Sequence, residues 1–93
     1  MKILIEQVSN NCLRNFGRHI LHSHLKSRFL ALEKYIIQPR FKECHFDYNT
    51  INTNNETIEV NYTGVLSIKQ FYNELSQMLE DRNITHWSVN LVE

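Results

Sequence analysis

Apolar residues recur at helical spacing from Asn11 to Ile37, the longest such stretch in the chain and one free of proline. Advancing about 100° per residue places Leu13, Phe16, Ile20 and His24 on one side of a helix. Leu25, Phe29, Leu32 and Ile36 fall on a second stripe, rotated by roughly 140°. A straight helix cannot turn both stripes to one flat surface. The spacing therefore predicts either a bend or break between His22 and Lys26, or burial of the second stripe against a different neighbour. At ~1.5 Å per residue the stretch measures about 40 Å, roughly twice a six-residue strand, so about half of it is expected to overhang a small sheet.

The rest of the chain changes period. Lys2 to Val8 sets Ile3 and Ile5 against Leu4, a strand covered on both faces. Ser9, Asn10 and Asn11 are all residues that cap a helix start, and Pro39 closes the long helix. Glu43 to Thr50 alternates Cys44, Phe46 and Tyr48 with His45, Asp47 and Asn49, and Thr57 to Thr63 alternates Ile58, Val60 and Tyr62 with Glu59 and Asn61. Between them Asn52 to Glu56, centred on Asn54 and Asn55, suits a tight turn because asparagine tolerates positive φ. Ser67 with Gln70 forms a capping box, stapled by Leu66 and Phe71. Behind it Ile68, Phe71, Tyr72, Leu75, Met78 and Leu79 trace one helical face, ending at a cap on Asn83. Thr85 to Val92 closes the chain as a strand with Trp87, Val89 and Leu91 inward. The order strand, helix, strand, strand, helix, strand in 93 residues predicts one α+β domain of the ferredoxin-like split βαβ type, with both helices on one face of a four-stranded antiparallel sheet.

Ten basic and ten acidic residues cancel overall, which argues against a dedicated nucleic-acid binder and against an acidic nucleic-acid mimic. Their order matters more. Residues 1–46 hold eight Lys or Arg and three Glu, and residues 47–93 hold two and seven acids. The two halves are expected to neutralise each other across one surface; a basic patch meant for an acidic partner is the other reading. Two cysteines build no disulfide framework, and no apolar run approaches ~20 residues, so a cytoplasmic protein with no membrane span is expected.

Chemistry finds little to hold on to. Among five histidines only His19 and His22 have i, i+3 spacing, there is no CxxC or HExxH, and Cys44 and His45 point to opposite faces of a strand, so no metal site or other cofactor is expected. His24 reads as a core-edge histidine and Cys12 as a small buried hydrophobe, not a nucleophile. Glu80 and Asp81 sit together at a helix end, and Gly17 and Gly64 stand alone where a phosphate cradle needs a cluster. Strand order and size resemble acylphosphatase-like chains, but the glycine-flanked phosphate loop with its arginine is missing, so that activity is not implied. No catalytic residue is assigned and no enzyme is expected.

The same strand order is that of the RNA-recognition module, which stacks bases on aromatics of its open sheet face. Here the helices need those aromatics as a floor. The open face is then left with His45, Asp47, Glu59, Asn61, His86, Ser88 and Asn90, which offers no stacking platform. What remains is the first helix. The expectation is a small non-enzymatic interaction protein, of the regulator, immunity or phage-inhibitor kind, with Leu25, Phe29, Leu32 and Ile36 as apolar anchors and Arg18, His22, Lys26 and Arg28 as a charged rim for an acidic protein partner or a second copy of the chain. The alternative is a nucleic-acid-binding regulator using the stripe Arg14, Arg18, His22 and Lys26.

Overall fold

A computed structural model describes residues 1–8 and 17–93, and of Arg18 the backbone alone. Its elements are β1 (Lys2–Gln7), α1 (Arg18–Leu32), a π turn (Glu33–Ile37), β2 (Cys44–Asn52), β3 (Thr57–Tyr62), α2 (Ile68–Asp81) and β4 (Trp87–Val92). The strands form one antiparallel sheet in the order β2-β3-β1-β4, so the α+β ferredoxin-like arrangement expected from the alternation is the one observed. Ser9, Asn10, Asn11, Cys12, Leu13, Arg14 and Phe16, and with them the start of the long helical stretch, lie outside the described residues.

Period-two alternation fixes which side chains meet. Ile3 lies between Val60 and Leu91, and Ile5 between Ile58 and Val89, so one face of the sheet carries a continuous apolar floor. Cys44 and Phe46 extend it onto β2. Leu21, Leu25, Phe29 and Leu32 from α1 and Phe71, Leu75, Met78 and Leu79 from α2 close over it in one cluster. On the other face Asp47, Glu59, Leu4 and Asn90 run in a row, with His45 opposite Asn61. Lys2 Nζ reaches Glu59 Oε1 there at 2.8 Å, the one ion pair among the described residues.

Local signals account for the second half of the chain. Ser67 Oγ accepts from Gln70 N–H at 3.1 Å while Gln70 Oε1 accepts from Ser67 N–H at 3.0 Å, the reciprocal capping box. At the other end Asn83 takes φ +56°, its N–H bonds Glu80 O, and Ile84 N–H bonds Leu79 O, a Schellman closure. In the β2–β3 turn the left-handed residue is Glu56 (φ +55°), not Asn54 or Asn55. The asparagines act through their side chains instead: Asn52 Oδ1 accepts from Asn54 N–H, and Asn55 Oδ1 accepts from the Thr57 hydroxyl. Gly64 has a packing reason, because a Cβ there would overlap the Tyr62 ring, which stacks on Phe71 at 3.9 Å.

The first helix departs from expectation. It is continuous through His22 to Lys26, and its irregularity falls later, in the π turn, where Gln38 N–H bonds Glu33 O across five residues. Leu25, Phe29 and Leu32 do not overhang the sheet. They are 0%, 0% and 1% exposed, so these three are core residues, and Leu25 and Phe29 are not docking anchors. The apolar side of α1 is a single stripe that starts at Leu21, and of the other predicted stripe Ile20 is 49% exposed and His24 half-buried. The one extra residue of the π turn also exchanges the last anchor: Ile37 enters the core at 0% exposure and Ile36 is left half-buried.

Phe29→Ala is expected to cost roughly 3–5 kcal/mol, since it empties a site bounded by Phe46 and Trp87, and the double change of Phe29 and Leu32 to Asp should abolish cooperative unfolding in urea. A cooperative transition in the double variant would mean that the α1 stripe is not the core. Ser67→Ala should cost about 1 kcal/mol by the same measurement.

Candidate docking groove at Trp87

Glu33 decides how the end of the first helix is placed. It is only 7% exposed, and its carboxylate is fully occupied. Oε2 accepts from the backbone N–H of Phe46 at 2.8 Å and from the Tyr48 hydroxyl at 2.9 Å, and Oε1 accepts from Gln38 Nε2 at 3.1 Å. Gln38 Nε2 also lies 3.3 Å from His45 Nδ1. The Phe46 N–H is an edge group, because β2 is the outermost strand on its side and pairs only with β3. A buried carboxylate with three donors is stable where an unpaired one is not, so the bonds at β2 explain why the helix accepts an extra residue there.

Burial and this carboxylate act together on two neighbours. The Cys44 thiol is pushed up to about 12, first by burial and then by the charges of Glu33 and Glu43, which makes it an inert core group. The Tyr48 hydroxyl is also raised, by burial and by its hydrogen bond to Glu33. Neither is a nucleophile at neutral pH. Among the described residues no three His, Cys, Asp or Glu come together in a way that could hold a metal ion.

On its other flank the same end of the helix borders a groove of about 270 Å³. Leu32 and Ile36 line it with Ala31, Tyr35, Arg28 and Trp87. The Trp87 ring packs on Phe29 at 5.1 Å, and the Arg28 guanidinium lies over it at 5.7 Å. Tyr35 is 76% exposed at the groove's margin. Thus Arg28, Leu32 and Ile36 of the expected surface meet here, whereas Leu25 and Phe29 lie beneath it. Tyr35 and Trp87 were not singled out by the sequence. Trp87 reads simply as an inward residue of a strand, and only the register that sets it opposite Gln7 at the β1–β4 end brings it to α1.

Charge follows the helix. His22, Lys26 and Arg28 on α1 and Lys34 in the π turn are exposed, and none of them makes an ion pair among the described residues. The only carboxylate between residues 18 and 37 is Glu33, which is turned away to β2. Among the described residues one ion pair joins the basic half to the acidic half, Lys2 to Glu59. Of the alternative stripe, His22 and Lys26 share the exposed side of α1, Arg18 begins the helix, and Arg14 lies outside the described residues. No helix among the described residues is long and apolar enough to cross a membrane.

No protein family, curated protein or solved structure matches this chain.

Glu33→Ala is expected to cost about 1–3 kcal/mol by leaving the Phe46 N–H and the Tyr48 hydroxyl without their acceptor, as read from urea midpoints. The raised Cys44 value also predicts an alkaline slope. The unfolded thiol loses its proton near 9.0 and the folded one only near 12, so its contribution is complete below pH 9.0 and declines as pH rises to about 12. Tyr48 adds to the upper part of that decline. A Cys44→Ala, Tyr48→Phe variant should lose most of this slope, measured as urea midpoint against pH.

Proposed function

We propose that this chain is a small non-enzymatic protein-interaction module, and that it docks an acidic segment of a protein partner by seating one apolar side chain in the Trp87 groove. The observation that supports the reading is the combination of an apolar recess with an arginine as the one charged residue lining it. Leu32, Ile36, Tyr35 and Trp87 supply the recess, and Arg28 on its wall is exposed and makes no ion pair among the described residues. An aromatic ring and an arginine beside an apolar recess are the residue types that carry most binding energy at protein interfaces. Exposed like charges at the margin contribute chiefly to encounter rate and to the choice of partner. A module of this kind works by occupying a surface of its partner, as a regulator, an immunity protein or a phage-encoded inhibitor does, and needs no catalytic residue or cofactor of its own.

A second reading keeps the helix and changes the partner to a phosphate backbone. It rests on His22 and Lys26 being exposed on one side of α1. The open sheet face adds nothing to it, since the row through Asp47 and Glu59 is acidic and carries no aromatic ring on which a base could stack.

Trp87 is the chain's only tryptophan and lines the groove, so a peptide seated there changes the chain's tryptophan emission. The probes are a glutamate-rich peptide with one central phenylalanine, the same peptide with lysine in place of glutamate, and a single-stranded oligonucleotide. The acidic peptide should shift the emission, with an affinity that falls as salt rises, and Arg28→Glu should weaken it by about tenfold or more, some 1.4 kcal/mol, with an unchanged circular dichroism spectrum. Equal responses to the acidic and basic peptides, or none to either, would sink the reading; a response to the oligonucleotide alone would replace it with the second.

A further inference from the structure

The two edges of the sheet are treated differently by the rest of the chain. On β2 the outward N–H groups are taken up internally, Cys44 N–H by Phe41 O at 3.1 Å and Phe46 N–H by Glu33. The strand is also distorted beyond Asp47, where its register against β3 shifts and Thr50 Oγ1 takes the Glu59 N–H in place of a ladder bond. These are the devices by which an edge is closed to further pairing. Among the described residues β4 has none of them. Val8 N–H bonds His86 O, and counting along the antiparallel ladder from that pair turns His86, Ser88, Asn90 and Val92 toward β1. The N–H and C=O groups of Trp87, Val89 and Leu91 then point outward, and none of them has a partner among the described residues. Residues 84–92 contain no proline and no Lys, Arg, Asp or Glu, and every residue of β4 pairs with β1 without a bulge.

We infer that the free edge of β4 pairs antiparallel with β4 of a second copy of this chain, joining two four-stranded sheets into one of eight strands. Alternation and the fullest overlap of the two outward edges together select the register. Outward residues must face outward residues, so Val89 lies opposite Val89 of the second copy and Trp87 opposite its Leu91, while on the open face Ser88 meets its Asn90. Charge argues for a copy as the occupant: the strand is uncharged, so an acidic or basic segment finds nothing to pair with, and two copies of a chain of net charge zero meet without repulsion. Trp87, Val89 and Leu91 are only half-buried on the core face because their strand lacks an outer neighbour, and pairing would supply one. A groove of about 380 Å³ lies between α2 and β4 and is lined by Trp87, Ser88 and Val89 of this strand. The Ser76 hydroxyl, buried and without a hydrogen-bond partner, also lines that groove. The Trp87 ring faces Phe29 and Arg28 while its backbone faces outward, so this contact and the docking groove are compatible.

The test is mass in solution together with amide exchange. Sedimentation equilibrium of the full chain should give twice 11.2 kDa at high concentration and move toward 11.2 kDa on dilution, with exchange at the Val89 and Leu91 amides slowing as the dimer fills. Val89→Pro removes an outward donor but no bond to β1, and should return the mass to that of one chain. Ser88→Lys with Asn90→Lys puts like charges opposite each other across the pair, leaves the core face untouched, and should do the same even if the proline variant fails to fold. A single-chain mass with fast exchange at Val89 and Leu91 at the highest soluble concentration would overturn the inference. So would a dimer that survives the double lysine change.

Discussion

The carboxylate of Glu33 is the point on which the first half of the molecule turns. It sits at the junction of a fifteen-residue helix and a π turn, and it bonds the outer edge of β2 through the Phe46 N–H and the Tyr48 hydroxyl. Without those donors a buried carboxylate would be a liability, and an α-helical continuation would place Ile36 rather than Ile37 in the core. With them, one inserted residue is stabilised, Ile37 is drawn in, and Ile36 and Tyr35 are left facing the groove. A single polar contact on one flank of the helix thereby sets the apolar surface on the other.

The same contact explains an asymmetry of the sheet. An edge strand presents unpaired donors and acceptors, and they must be met by the chain, by water or by another chain. Glu33 and Phe41 meet two of those of β2, the N–H groups of Phe46 and Cys44. Among the described residues nothing comparable reaches β4, where Trp87, Val89 and Leu91 are only half-buried. One end of the long helix covers one edge, and the outward groups of the other have no partner among the described residues.

Charge follows a related logic. The net of zero hides a basic first half, and α1 packs its apolar stripe on the sheet and leaves Lys26, Arg28 and Lys34 in solvent without an ion pair among the described residues. The acids of β2 and β3 face the opposite side of the sheet, where Lys2 reaches Glu59. A layer of core lies between the two sets, so screening by solvent on each side, not pairing, is what they experience.

Composition and period were enough for the element order, the sheet and the second helix. Alternation in β2, β3 and β4 is a local property of the backbone, and the Ser67–Gln70 box and the Asn83 cap act within a turn of their own positions. The fate of Leu25, Phe29 and Leu32 was not legible in the same way, because a stripe counted at a uniform 100° per residue cannot register an inserted π residue or reveal how far a helix reaches across its sheet. Glu33 gave no signal at all, since a lone glutamate in a basic helix looks like solvated surface until β2 folds against it. The groove likewise joins Arg28 to Trp87, residues distant in the chain that only tertiary packing brings together. Periodicity is set between neighbours along the chain, and so it was readable; burial of one carboxylate and the exposure of one edge depend on partners from elsewhere in the fold, and only the assembled structure decided them.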